Sequence, residues 1–310
     1  MNTDTIRVLY IAGSGRTGST ILQNILGQID GFLSVGELHY VWERGFIKNK
    51  LCGCGAPFLE CDLWRGVVQE AFGGPGGVNA EEMFRLNRSF RIKHLALSRI
   101  PGVAHQHLSR LGLYLDNLEK LYAAIKTMTG SPVIVDSSKT PVFGYLLGKV
   151  PSISLTVVHF LRDSRATAYA WSKKKLFEPN TANPEYMARR HPVKSSLQWD
   201  ARNLLTEVYL RNPPSQYMVL RYEDFIAQPR ESVRRIAGLV GEVNADLPFL
   251  SEHAVEITKA NHSVFGNIVR FQRGRVELKV DEEWKKKMPK SQQMAAVVLT
   301  WPLLVKYGYV

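Results

Sequence analysis

Short apolar runs, each ending in a turn and followed by a helical pattern, organise the chain. Residues 6–11 are mostly apolar, with isoleucine at both ends, and stop at a glycine-rich turn. Residues 20–26 then set Ile21, Leu22, Ile25 and Leu26 at helical spacing. Strand, glycine loop and helix in that order open a parallel α/β sheet. The order returns at residues 132–136 (PVIVD) and at 155–161 (LTVVHFL), the latter followed by a helix through Trp171. A fourth run, residues 217–220, precedes a helix that opens near Pro229. Strands that are apolar throughout, without alternation, belong in a parallel sheet covered on both faces. The expected fold is α/β, a P-loop-like parallel sheet flanked by helices.

Between about residues 43 and 130 the pattern changes. Glycine, proline and cysteine are dense from 52 to 77, and long helical patterns follow. Leu108, Leu111, Leu115, Leu118, Tyr122 and Ile125 repeat at three and four, which predicts one apolar helix face. The segment reads as a largely helical insertion between two strands of a single domain over residues 1–310, placed to cover a site.

Composition narrows the partners. With 45% hydrophobic and 22% charged residues the chain is an ordinary globular one, which excludes disorder and collagen-like structure. Lys+Arg 40 against Asp+Glu 28 leaves +12, favouring an anionic partner: nucleic acid, a membrane surface or a phosphorylated small molecule. The basic residues are scattered and form no zinc-finger or RNP-type motif, so nucleic acid is not expected. No apolar run approaches the roughly 18 residues that span a bilayer, and the nearest, 295–305, is broken by Thr300 and Pro302. The first residues lack a basic start and an apolar stretch of signal length. The expectation is a soluble, cytoplasmic protein. Three cysteines cannot build a disulfide framework.

The chemistry concentrates in Gly13-Ser14-Gly15-Arg16-Thr17-Gly18-Ser19-Thr20. Glycines let backbone N–H groups converge on an anion, and the following helix adds its N-terminal dipole. The spacing of Gly13 and Gly18 matches a P-loop, but Ser19 stands where the Walker lysine belongs, and Arg16 supplies the charge instead. Asp136, at the end of a buried strand, is the counterpart of a Walker B aspartate. A Mg²⁺-ATP-dependent kinase or phosphotransferase is therefore the alternative reading, handicapped by the missing lysine.

The loop resembles the 5′-phosphosulfate loop of sulfotransferases that use 3′-phosphoadenosine 5′-phosphosulfate (PAPS). The nearest form is the Arg-Ser-Gly-Thr-Thr version of tyrosylprotein and carbohydrate sulfotransferases, here Arg16-Thr17-Gly18-Ser19-Thr20. The resemblance implies that residues from Gly15 to Thr20 hold the 5′ end of the co-substrate. Four further stretches match in family order. Gly36-Glu37-Leu38-His39 falls where related enzymes place a catalytic glutamate, so Glu37 is the implied general base and His39 the competing one. Asp136-Ser137-Ser138-Lys139 ends a strand, where open α/β sheets bind ligands. Lys139, two residues before Pro141, is implied to stabilise the departing phosphate together with Arg16.

Arg162 falls where the family grips the 3′-phosphate, but the serine expected eight residues later is Ala170, leaving Ser164 or Ser172 to compensate. A late basic stretch resembles the loop that bacterial members fold over the co-substrate, and it implies Arg270 and Arg273 beside Gly274, with Arg275 behind them. The implied reaction moves the sulfuryl group of PAPS to a hydroxyl, less readily an amine, of a small-molecule, glycan or glycolipid acceptor. It leaves adenosine 3′,5′-bisphosphate and needs no metal. Cys52, Cys54, Cys61 and Trp64 also resemble bacterial members. A structural zinc site needs four ligands, and His39 or His94 is the candidate fourth. A reduced, packed cluster is the expected state, with a Cys54–Cys61 or Cys52–Cys61 disulfide as the alternative.

Overall fold

A computed structural model describes residues 5–178, 185–211, 213 and 216–310. The first strand, β1 (Ile6–Ala12), leads through the glycine loop to α1 (Ser19–Leu26) and then β2 (Phe32–Gly36). The insertion follows with α2 (Asp62–Phe72), α3 (Ala80–Ser89), α4 (Ile92–Leu97), α5 (Pro101–Ser109) and α6 (Gly112–Thr129). The sheet resumes with β3 (Val133–Lys139), α7 (Pro141–Leu147), β4 (Ile153–Leu161), α8 (Ser164–Ser172), α9 (Pro192–Leu210) and β5 (Tyr217–Arg221). Helices α10 (Tyr222–Ala227) and α11 (Pro229–Leu239), the short strands β6 (Ala254–Ile257) and β7 (Gly274–Glu277), and helices α12 (Glu283–Lys287) and α13 (Lys290–Lys306) complete the chain.

Five strands form one sheet in the order β2-β3-β1-β4-β5, every pair parallel. Side chains on a strand alternate between faces, and β1 shows the consequence. Val8 and Tyr10 pack into the core shared with the insertion, whereas Leu9 and Ile11 pack against Leu22, Ile25 and Leu26 of α1 and Val233 and Ile236 of α11. Both faces are thus covered, as uninterrupted apolar strands require.

Three features depart from the sequence reading. Strand β2 was not foreseen, because five residues ending in glycine carry little pattern; it forms by pairing with β3. Strand β3 continues past Asp136 to Lys139 with every residue buried. Its polar end is satisfied locally, since Ser138 N–H donates to Asp136 Oδ1 (2.7 Å) and Ser137 Oγ bonds Gln23. The apolar repeat from 108 to 125 is two helices, because Leu111 (φ −103°, ψ 5°) leaves helical geometry before Gly112.

Candidate active site

In a parallel sheet all carboxyl ends lie along one edge, and ligands bind there where the strand order reverses. Here β1 is flanked by β3 on one side and β4 on the other. The glycine loop follows β1, Glu37 directly follows β2, Lys139 ends β3, and Arg162 directly follows β4. Gly18 caps α1 in the left-handed region (φ 89°), where a Cβ would fall 2.9 Å from the Tyr222 ring. Arg16 (φ 70°) and Lys139 (φ 67°) are also left-handed, without glycine's freedom. Each such residue costs about 1–2 kcal/mol, and both present a cation to the same space.

That space is a cavity of ≈ 350 Å³. Gly15, Arg16, Gly18, Ser19, Thr20, Glu37, His39, Lys139 and Arg162 all line it. The sequence-predicted loop, base candidates, lysine and strand-end arginine are therefore brought together. Glu37 Oε1 accepts from Lys139 Nζ at 2.6 Å, and both side chains are almost wholly buried. Burial pushes the Lys139 ammonium below its ordinary value, against the pull of Glu37. Burial first, then Lys139 and Arg202, push His39 well below the usual imidazole range, so its ring is neutral. The loop N–H groups at the start of α1 add the unpaired donors that every helix N-terminus offers.

Arg16 decides the character of the cavity. Among the described residues its Nε and Nη2 are buried without a hydrogen-bond partner, while Nη1 meets the Met187 sulfur at 3.1 Å. An unsatisfied buried guanidinium is costly and is the natural partner of an anion. Among the described residues, seven cationic ones line the space, Arg16, Arg44, Lys139, Arg162, Lys175, Arg190 and Arg202, against the carboxylates Glu37 and Glu185. Arg190 is pushed down to about 10, by burial and then by Arg202 and Arg16. A multiply charged anion relieves this imbalance.

A family model described as the sulfotransferase family matches residues 9–243, a stretch that holds most of the cavity-lining residues. The chain belongs to the sulfotransferase family. One solved structure shows a similar fold, and a second aligns with the chain more loosely. The sulfotransferase domain of the Synechococcus PCC 7002 olefin synthase is 18% identical, with a TM-score of 0.53, covering 96% of this chain and 94% of that one. The sulfotransferase domain from the curacin biosynthetic pathway is 13% identical, with a TM-score of 0.46, covering 94% and 96%. A search of curated proteins finds no match.

Six residues expected to contact the co-substrate do not line this cavity. Thr17 is buried in the loop, its hydroxyl 3.4 Å from Ser14 O. Ser164 Oγ pairs with Thr300 Oγ1 at 2.8 Å, and Ser172 Oγ donates to Tyr169 O at 2.8 Å. Neither serine lines the cavity, whereas Ala170 does. Arg270 is fully buried behind the wall, donating to Gly266 O (2.8 Å) and Phe177 O (3.2 Å) and facing Glu178 at 3.7 Å. Arg273 donates to Gly53 O at 2.7 Å, and Gly274 opens β7. The late loop reaches the cavity through Phe265, Asn267 and Val269 instead.

Asp136 is likewise committed to the fold: Oδ1 takes the Ser138 N–H and Oδ2 the Tyr122 hydroxyl (2.5 Å). Burial raises it to about 6. It does not line the cavity, so it is no counterpart of a Walker B aspartate facing a nucleotide. Arg162 pairs with Asp281 Oδ2 (3.2 Å) rather than with Asp163 or Glu223, and lies over the Tyr222 ring at 4.5 Å. Sequence reasoning missed Arg190, Arg202 and the aromatic wall of Trp171, Phe177 and Phe265. Trp171 carries two guanidiniums, Arg190 at 3.7 Å and Arg16 at 4.9 Å from its ring centroid. Lys175, three residues beyond the end of α8, also lines the cavity.

Proposed function

We propose that this protein transfers the sulfuryl group of PAPS to an acceptor hydroxyl, giving a sulfate ester and adenosine 3′,5′-bisphosphate, and that the chain works as one catalytic unit in the cytoplasm. The observation that carries the reading is the Arg16 guanidinium, whose buried Nε and Nη2 find no hydrogen-bond partner among the described residues, beside the glycine loop and the Glu37–Lys139 pair. PAPS supplies an activated sulfate whose S–O bond to phosphate breaks as the acceptor oxygen bonds sulfur.

In this reading Gly15, Arg16, Gly18, Ser19 and Thr20 bind the 5′-phosphosulfate, with loop N–H groups as donors. Arg162, held by Asp281, serves the 3′-phosphate in place of the missing serine. Glu37 takes the proton of the acceptor hydroxyl, and Lys139 and Arg16 stabilise the charge on the phosphate oxygen that leaves. Neutral His39 positions the acceptor beside Glu37. The aromatic wall of Tyr40, Phe177 and Phe265 supports an acceptor with an apolar or ring-bearing part, whether small molecule, glycan or glycolipid.

Calorimetric titration with adenosine 3′,5′-bisphosphate, paired with ATP plus Mg²⁺, tests the reading. Tight, metal-independent binding of the bisphosphate is expected. Preference for ATP and Mg²⁺ would overturn it in favour of phosphoryl transfer.

A further inference from the structure

The three cysteines of the insertion do not stand alone. Cys52, Cys54, Cys61 and His262 bring their ligand atoms within 4.8 Å of one another. Cys54 Sγ lies 3.6 Å from Cys61 Sγ. His262 Nδ1 lies 3.3 Å from Cys61 Sγ and 3.7 Å from Cys52 Sγ. Tetrahedral zinc with Zn–S near 2.3 Å and Zn–N near 2.0–2.1 Å demands S···S of about 3.8 Å and S···N of about 3.5 Å. These three separations are close to those of a metal-centred tetrahedron, and the Cys54–Cys61 one is far from the roughly 2.05 Å of a disulfide. The fourth partner is neither His39, which lines the reaction cavity, nor His94, whose ring contacts Phe90 and His107.

We propose that Cys52, Cys54, Cys61 and His262 hold a structural Zn²⁺ ion. Three thiolates and an imidazole suit zinc rather than magnesium or calcium, which prefer oxygen donors. Four protein ligands leave no open position, so the site is closed and structural. The three thiol protons pass to solvent as the metal binds, and His262 coordinates as the neutral ring.

The backbone builds the cradle before any metal arrives. Gly53, between two ligands, donates to Ser263 O at 3.0 Å, and a Cβ there would fall 2.0 Å from Asn261 Oδ1. Trp64 Nε1 donates to His262 O at 3.0 Å, and His262 N–H donates to Ser34 O of β2 at 3.1 Å. Cys61 is the residue from which α2 starts. Zinc therefore ties the start of the insertion to the late segment that carries Phe265, Asn267 and Val269 into the cavity wall. That last consequence rests on the sulfotransfer reading; the metal assignment does not.

The full chain, purified under reducing conditions without chelator and passed through gel filtration, is measured by elemental mass spectrometry. About one equivalent of zinc per chain is expected. Cys54→Ser, at an exposed position, is expected to retain roughly a tenth of that. Cobalt exchanged into the wild-type site is expected to show thiolate charge-transfer and tetrahedral d–d bands that the variant lacks. A wild-type chain without metal, with three reactive thiols or with a Cys54–Cys61 disulfide by mass, overturns the proposal. Equal zinc in wild type and variant overturns it too, as adventitious binding. Metal content is read without turnover, so failure here leaves the sulfotransfer reading untouched, and the reverse holds.

Discussion

Lys139 Nζ and Glu37 Oε1 stand 2.6 Å apart at the carboxyl ends of two adjacent strands, β3 and β2, with both side chains nearly out of water. The ion pair offsets the cost of burying either group alone. The carboxylate proposed as the base and the ammonium proposed to steady the leaving oxygen are thereby set beside one cavity. Lys139 also donates to Ser137 O at 2.9 Å, which fixes its direction.

Glu37→Gln keeps the shape and an acceptor for Lys139 but removes the proposed base. Turnover is expected to fall by about 10²–10⁴-fold, with binding of adenosine 3′,5′-bisphosphate nearly unchanged. Single-turnover rates and calorimetry read the two effects separately. If activity survives in Glu37→Gln and is lost in His39→Asn, His39 is the base.

The glycine loop was legible from its spacing after an apolar run, whereas Glu37, Lys139 and Arg162 were reached through short stretches that resemble the sulfotransferase family; all of them line one cavity. Arg202 was not legible. It sits within the 19-residue helix α9, and only packing against the sheet edge turns it into the cavity. Arg270 failed in the other direction, since a basic loop looks alike in sequence whether its guanidinium faces the co-substrate or, as here, is buried on Gly266 O and Phe177 O. His262, 201 residues from Cys61, was out of reach of any spacing argument.

Arg162 is nearly buried, and its Nη2 is held by Asp281. Losing a charged hydrogen bond to a phosphate costs about 1.5–3 kcal/mol. Arg162→Ala should therefore weaken adenosine 3′,5′-bisphosphate by roughly 10–150-fold, while adenosine 5′-phosphosulfate, which lacks the 3′-phosphate, is affected far less. Equal losses for the two ligands would move Arg162 from the 3′ to the 5′ end.

Acid stability carries a signature of His159, which is fully buried between Tyr217 OH (2.6 Å) and Asn203 Oδ1 (3.0 Å). Burial pushes its imidazole down to about 4. A depressed folded-state value means the stability it contributes is present above the ordinary value near 6.5 and is lost as pH falls through about 4. Across that window the loss is about 3 kcal/mol. Asp136, raised to about 6, works oppositely: its contribution is present at low pH and lost as pH rises through about 6. The difference between wild type and His159→Gln isolates the histidine. Urea midpoints at pH 7.5 and 4.5 should fall further apart in wild type than in the variant; parallel shifts would remove His159 as the cause.

Gly18→Ala tests whether the loop's shape, rather than its charge alone, makes the anion site. The residue is left-handed (φ 89°), and an added Cβ meets the Tyr222 ring at 2.9 Å. Backbone strain alone costs about 1–2 kcal/mol, and relieving it rotates the N–H groups of Ser19 and Thr20 away from the cavity. Thermal stability should drop, and affinity for adenosine 3′,5′-bisphosphate should fall by about tenfold or more, tenfold being about 1.4 kcal/mol. The charge of the loop is untouched by this change, so a lower melting temperature with unaltered affinity would mean that Arg16 and its fellow cations, not the backbone donors, hold the 5′ end.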